Sequence, residues 1–120
     1  TTFGGLSQLV TQLEAAGLYE DTLVMVVSEM TRTPLMNMHE GKDHWPHTSA
    51  MLFGGPIRGG RVIGGTDDWL MSRPVDLSSG ALDDSGSLIR YDNLSAGILE
   101  VMDVDPGAWF PGITPLRGLS

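Results

Sequence analysis

The sequence predicts an α/β fold built on a mostly parallel sheet flanked by helices, and three observations lead there. Leu6, Leu9, Val10 and Leu13 recur at the spacing of one helical face. Thr22 to Val27 is an unbroken apolar, β-branched run, the pattern of a central strand covered on both faces. Ser49 to Phe53 resumes a strand after a long connection over 28–48 that shows no periodicity. A helix feeding a buried strand through a short turn is the α/β unit. Long loops at the carboxyl ends of its strands are where open sheets of this kind hold ligands.

Taken in order, the first helix ends at Ala15-Ala16, and Gly17 stands where a left-handed cap belongs. Glu20-Asp21 makes a polar turn into the strand 22–27. The connection 28–48 holds Pro34, Gly41 and Pro46. After the strand 49–53, Gly54-Gly55-Pro56 closes the unit, and Arg61-Val62-Ile63 between glycine pairs reads as a small strand. Asp67 and Asp68 cap or hydrogen-bond a turn. Residues 68–91 are irregular, with a Ser/Gly/Asp-rich exposed loop at 78–87. Asp92 is placed to N-cap a second helix, with Leu94, Ile98, Val101 and Met102 on one face. The tail through Ser120 is expected to run extended over the surface.

A chain of 120 residues is one domain at most. A hydrophobic content of 41% is that of a globular chain, and its longest apolar run is far short of the ~20 residues a membrane helix needs. A net charge of −8, with seven scattered Lys and Arg, disfavours nucleic acid as a partner. With no cysteine, any metal must take nitrogen and oxygen donors, and the compartment stays open. The chain begins at Thr1 and opens directly on a helix, which suggests a segment lacking its N-terminal part.

All three histidines fall in His39-Glu40-Gly41-Lys42-Asp43-His44-Trp45-Pro46-His47, soon after the first strand stops at Ser28-Glu29. Nothing else concentrates so many groups able to bind a metal or move a proton. Glu29 is either a hard oxygen ligand for a divalent cation or a carboxylate that pins the loop through Arg32. Adjacent residues on an extended loop point apart, so of Asp43 and His44 one binds the ion while the other orients a neighbour or serves a second ion. His47, just before the next strand, competes with His44. Arg32 either clamps an anionic group bidentately or pairs with Glu29 or Glu40. Ser28, Thr31, Thr33 and Thr48 lie in no nucleophile-elbow pattern, so a Ser-His-Asp hydrolase finds little support.

Read together, three stretches resemble the C-terminal part of DUF1501 proteins, a bacterial family related to sulfatases within the alkaline phosphatase superfamily. They are Asp21 to Glu29 with Arg32-Thr33-Pro34; Gly41 to Pro46; and Gly54-Gly55 through Arg58-Gly59-Gly60 to Asp67. The helix Asn93 to Met102 with Val104-Asp105-Pro106 fits as well. Where members usually read Glu-Phe-Gly-Arg-Thr-Pro, this chain has Glu29-Met30-Thr31-Arg32-Thr33-Pro34.

The resemblance implies that residues 1–120 are a single C-terminal segment of an alkaline phosphatase-like sandwich, and it is consistent with an exported bacterial protein. It implies a metal-dependent hydrolase of phosphate or sulfate esters, with Glu29, Asp43, His44 and His47 as candidate metal ligands and Arg32 as the anion clamp. The ion would be Zn²⁺, Mn²⁺ or Ca²⁺. An anionic ester is the implied substrate, the nucleophile is expected upstream of this chain, and the missing N-terminal part or a partner chain is expected to cover its apolar surface. The other reading is a non-catalytic binding or assembly module that keeps the hydrolase scaffold.

Overall fold

The computed structural model describes residues 1–120. Helix α1 spans Thr2–Ala15, and Thr1 caps it by accepting a hydrogen bond from the Gly4 amide. Gly17 takes φ +68°, and the Gly17 and Leu18 amides donate to the Glu14 and Leu13 carbonyls. Those two bonds satisfy carbonyls that the helix end would otherwise leave open, as the sequence anticipates. No α1 residue is buried, so its apolar stripe is only partly covered.

The strand Leu23–Val27 (β1) forms where the apolar run predicts it, and Ala50–Gly54 (β4) forms within a residue of its expected place. Their relationship corrects the predicted fold class. β1 and β4 are antiparallel, with Val24 opposite Phe53 and Val27 opposite Ala50, and they make a two-stranded sheet rather than part of a parallel one. The second sheet is also an antiparallel pair, Thr31–Arg32 (β2) with His44–Trp45 (β3). The reason is the connection. Parallel neighbours need a crossover, usually a helix, whereas 28–49 returns through the β2–β3 hairpin and brings β4 back in the opposite direction. Arg61-Val62-Ile63 forms no strand, and Val62 is 90% exposed.

Helix α2 runs Tyr91–Val101. It starts before Asp92, with Arg90 at the cap, where the Asn93 carboxamide accepts the Arg90 amide at 2.9 Å. Its buried residues are Asn93, Ala96 and Gly97, a narrower stripe than the expected Leu94, Ile98, Val101 face. The tail is the cause. Instead of crossing the surface it packs on α2, so Leu116 and Leu119 are buried with Val75 and Ala96 in a small core. Asn93 fastens it: the Leu116 amide donates to the Asn93 carbonyl and the Asn93 side chain donates to Thr114 O, both at 2.9 Å. The 78–87 segment is tied down as well. Val75 and Ser87 exchange backbone bonds, and the Asp76 and Asp83 carboxylates accept amides two residues on.

Only 10 of 120 residues are buried, and the accessible surface is 8321 Å². A compact monomer of 12.9 kDa exposes about 6,300 Å². The radius of gyration of 16.4 Å likewise exceeds the roughly 14 Å of a compact chain this long. No helix is long and apolar enough to cross a membrane.

Candidate functional site

The candidate groups gather at the end of the β1–β4 ribbon where Val27 meets Ala50. Beyond that pair, the Thr48 hydroxyl reaches the Ser28 carbonyl at 3.5 Å, and the Thr31 hydroxyl donates to the His47 carbonyl. These bonds set Ser28-Glu29 beside His47-Thr48. The β2–β3 pair then places Arg32 opposite His44 and Thr31 opposite Trp45. Glu29, Arg32, His44 and His47 therefore share one neighbourhood, drawn from both sides of the long connection.

Within it, His47 is the most constrained. Its Nδ1 lies 2.8 Å from the Ser72 hydroxyl, and its ring stands edge-on to Trp45 at 6.1 Å between centroids. Its Nε2 is buried and has no hydrogen-bond partner. Buried polar atoms nearly always find one, so a lone exception is informative. Ser72 was not singled out by sequence reasoning. It arrives through a turn built by Asp67, whose carboxylate accepts the Trp69 and Met71 amides at 2.9 Å each. The turn-forming role of Asp67 is legible in the sequence; its consequence for His47 is not. Trp45 Nε1 donates to the Leu70 carbonyl at 3.1 Å and holds the same turn against the hairpin.

Glu29 is exposed, and its carboxylate accepts from the Ser28 hydroxyl at 3.2 Å. Its own backbone amide holds its pKa below the ordinary glutamate range, followed by the Ser28 hydroxyl and then the positive charges of Arg32 and His44. Glu29 and Arg32 form no ion pair within 4.0 Å; the pairs present are Arg73–Asp84, Arg90–Asp92 and Arg117–Glu100. The guanidinium of Arg32 donates to the Lys42 carbonyl at 3.2 Å and is otherwise exposed. His44 is exposed too.

Asp43 has a separate occupation. Its carboxylate accepts from the Asn37 side chain at 2.9 Å, and its amide donates to the Thr33 hydroxyl at 3.1 Å, which locks the 33–43 loop. Asn37 in turn accepts the His39 and Gly41 amides, so His39 lies on an exposed turn. No three His, Asp or Glu side chains converge closely enough to hold a metal ion by themselves. The hydroxyls of Thr31, Thr33 and Thr48 are spent on backbone carbonyls, and that of Ser28 on Glu29. Ser72 alone presents a hydroxyl to an imidazole.

A family model described as "Protein of unknown function (DUF1501)" matches residues 3–112. No curated protein and no solved structure matches the chain.

Proposed function

The chain belongs to the DUF1501 family, and from that premise we propose that it is a segment of a metal-dependent hydrolase of phosphate or sulfate esters, related to the sulfatases of the alkaline phosphatase superfamily. The observation that carries the reading is His47, with Nδ1 fixed on Ser72 and Nε2 buried and unpartnered. A ligating imidazole characteristically donates its other N–H to a neighbouring oxygen, which sets the tautomer and the ring direction. The reading requires Nδ1–H to donate to Ser72 Oγ, which leaves the Nε2 lone pair for a divalent ion.

Glu29, held ionised in the same corner, supplies a carboxylate oxygen or attracts the Arg32 guanidinium. Arg32 has donors left over after its bond to Lys42 and binds the anionic ester. A nitrogen ligand favours Zn²⁺ or Mn²⁺ over Ca²⁺. When bound, such an ion polarises the ester oxygen and stabilises charge built up in displacement. No three donors converge, so His47 is the one ligand assigned with its partners in view.

Metal content after equilibrium dialysis tests this, alongside turnover of p-nitrophenyl phosphate and p-nitrophenyl sulfate. Wild type and His44→Ala are expected to retain Zn²⁺, and His47→Ala to lose it. Folded protein that takes up no metal under any condition would leave the assembly-module reading, which the excess exposed surface favours.

A further inference from the structure

We propose that Trp45 is a positioning residue for His47 and acts through the left-handed backbone of Leu70. The role rests on the reading of His47 as a metal ligand and says what sets that ligand's register. Three non-glycine residues take positive φ: Glu40, Leu70 and Asp103. Aspartate visits this region readily, whereas a bulky leucine at φ +60° is an outlier, because its Cβ crowds the backbone. Residues held in this way persist only where their surroundings fix them, and they gather at ligand clamps.

Two sets of bonds fix Leu70. Asp67 supplies the first. The Leu70 amide donates to the Asp67 carbonyl at 3.0 Å, the Asp67 amide donates to the Met71 carbonyl at 3.0 Å, and the Asp67 carboxylate accepts the Trp69 and Met71 amides. These bonds close the turn, yet no backbone amide reaches the Leu70 carbonyl. The Trp45 indole N–H is its donor, at 3.1 Å. That bond and the His47–Ser72 contact each join residues 25 apart in sequence, so they are successive rungs between 45–47 and 70–72. Displacing the first rung displaces the second. The Trp45 ring also stands edge-on to His47, so one side chain braces both the turn and the imidazole.

Without the indole donor the Leu70 carbonyl loses its partner, and the backbone is free to return to negative φ. The chain that follows then swings away from the hairpin and carries Ser72 with it. His47 loses the oxygen that selects its tautomer. The strain comes from the Cβ of residue 70, so glycine there keeps the turn without help from the indole.

The test is long-range ¹H–¹⁵N NMR of His47 in the metal-free 120-residue chain, with Zn²⁺ affinity measured beside it by equilibrium dialysis. Trp45→Phe keeps a ring next to His47 and removes only the donor. It should turn a single Nδ1–H tautomer into a mixture and weaken Zn²⁺ binding about tenfold. Adding Leu70→Gly should restore both, which lost packing alone would not allow. Leu70→Val leaves Trp45 in place and makes the left-handed backbone costlier, so it should reproduce the mixture and decides the matter where Trp45→Phe costs the fold. Amide exchange at Ala96 and Gly97, buried in α2, reports whether each variant is folded. A wild type that binds no Zn²⁺ removes the metal reading, while the tautomer comparison still decides the role of Trp45. An unchanged His47 tautomer in folded Trp45→Phe or Leu70→Val, or no rescue by glycine, overturns the proposal.

Discussion

His47 and Ser72 meet at 2.8 Å through Nδ1 and Oγ, while the second ring nitrogen of the histidine is buried without a partner. The contact joins the loop before β4 to the turn built on Asp67, and it decides which nitrogen can face a metal. Removing the hydroxyl should free the ring to reorient. Ser72→Ala is therefore expected to weaken Zn²⁺ binding by roughly 10–100-fold with the circular dichroism spectrum unchanged. Undiminished affinity would show that Ser72 does not position the ligand.

Asp43 is predicted to act on the loop and not on the ion. Asp43→Ala removes the acceptor of the Asn37 side chain and should speed amide exchange across 37–41. Asp43→Asn keeps an acceptor oxygen and should leave that exchange near wild type. Zn²⁺ affinity should stay within about twofold in both, since a supporting loop bond is worth only about 1 kcal/mol and Asp43 makes no hydrogen bond to His47.

Glu29 should titrate below an ordinary glutamate in a carbon-detected NMR pH series, for the hydrogen-bonding reasons that lower its pKa. Ser28→Ala should raise its midpoint partway, because the bond from its own amide remains. The sign of the linkage follows. A carboxylate with a depressed folded pKa contributes stability above its unfolded pKa and loses it as pH falls through the folded value. Acid should therefore loosen this corner. A midpoint at or above the usual range would remove the basis for an ionised Glu29 beside Arg32.

Gly97 faces the backbone of Leu116 so closely that an added Cβ would meet the Leu116 carbonyl. Gly97→Ala should push the tail off α2 and cost about 1–3 kcal/mol in denaturant melts. Gly59→Ala is the matched control, since nothing lies within 4 Å of its Cβ position. It should be neutral or stabilising by under about 1 kcal/mol. Similar losses in both would mean that the α2–tail contact does not hold the core together.

Local chemistry made much of this legible. The Gly17 cap, the two apolar strands and the Asp67 turn each depend on residues close in sequence, and all three form. Strand direction is not local. An apolar run such as 22–27 looks the same whether its neighbour is parallel or antiparallel, and only the path of 28–49 decides. The tail misled for a related reason. Pro111, Gly112 and Pro115 read as surface breakers, yet Pro111-Gly112 makes a turn, with Gly112 at φ +77°, and the stretch after it lets Asn93 hydrogen-bond Thr114 and Leu116 and bury the chain end. The candidate site was legible as a cluster of residue types. Which nitrogen of which histidine was left without a partner depended on Ser72, whose approach is a long-range event.

The most direct measurement is long-range ¹H–¹⁵N NMR of the imidazole of His47, before and after addition of Zn²⁺. The account predicts a neutral ring with the proton on Nδ1, bonded to Ser72, and an Nε2 resonance that shifts when the metal is added. A proton resident on Nε2, with the Ser72 hydroxyl donating to Nδ1 and no response to metal, would contradict it.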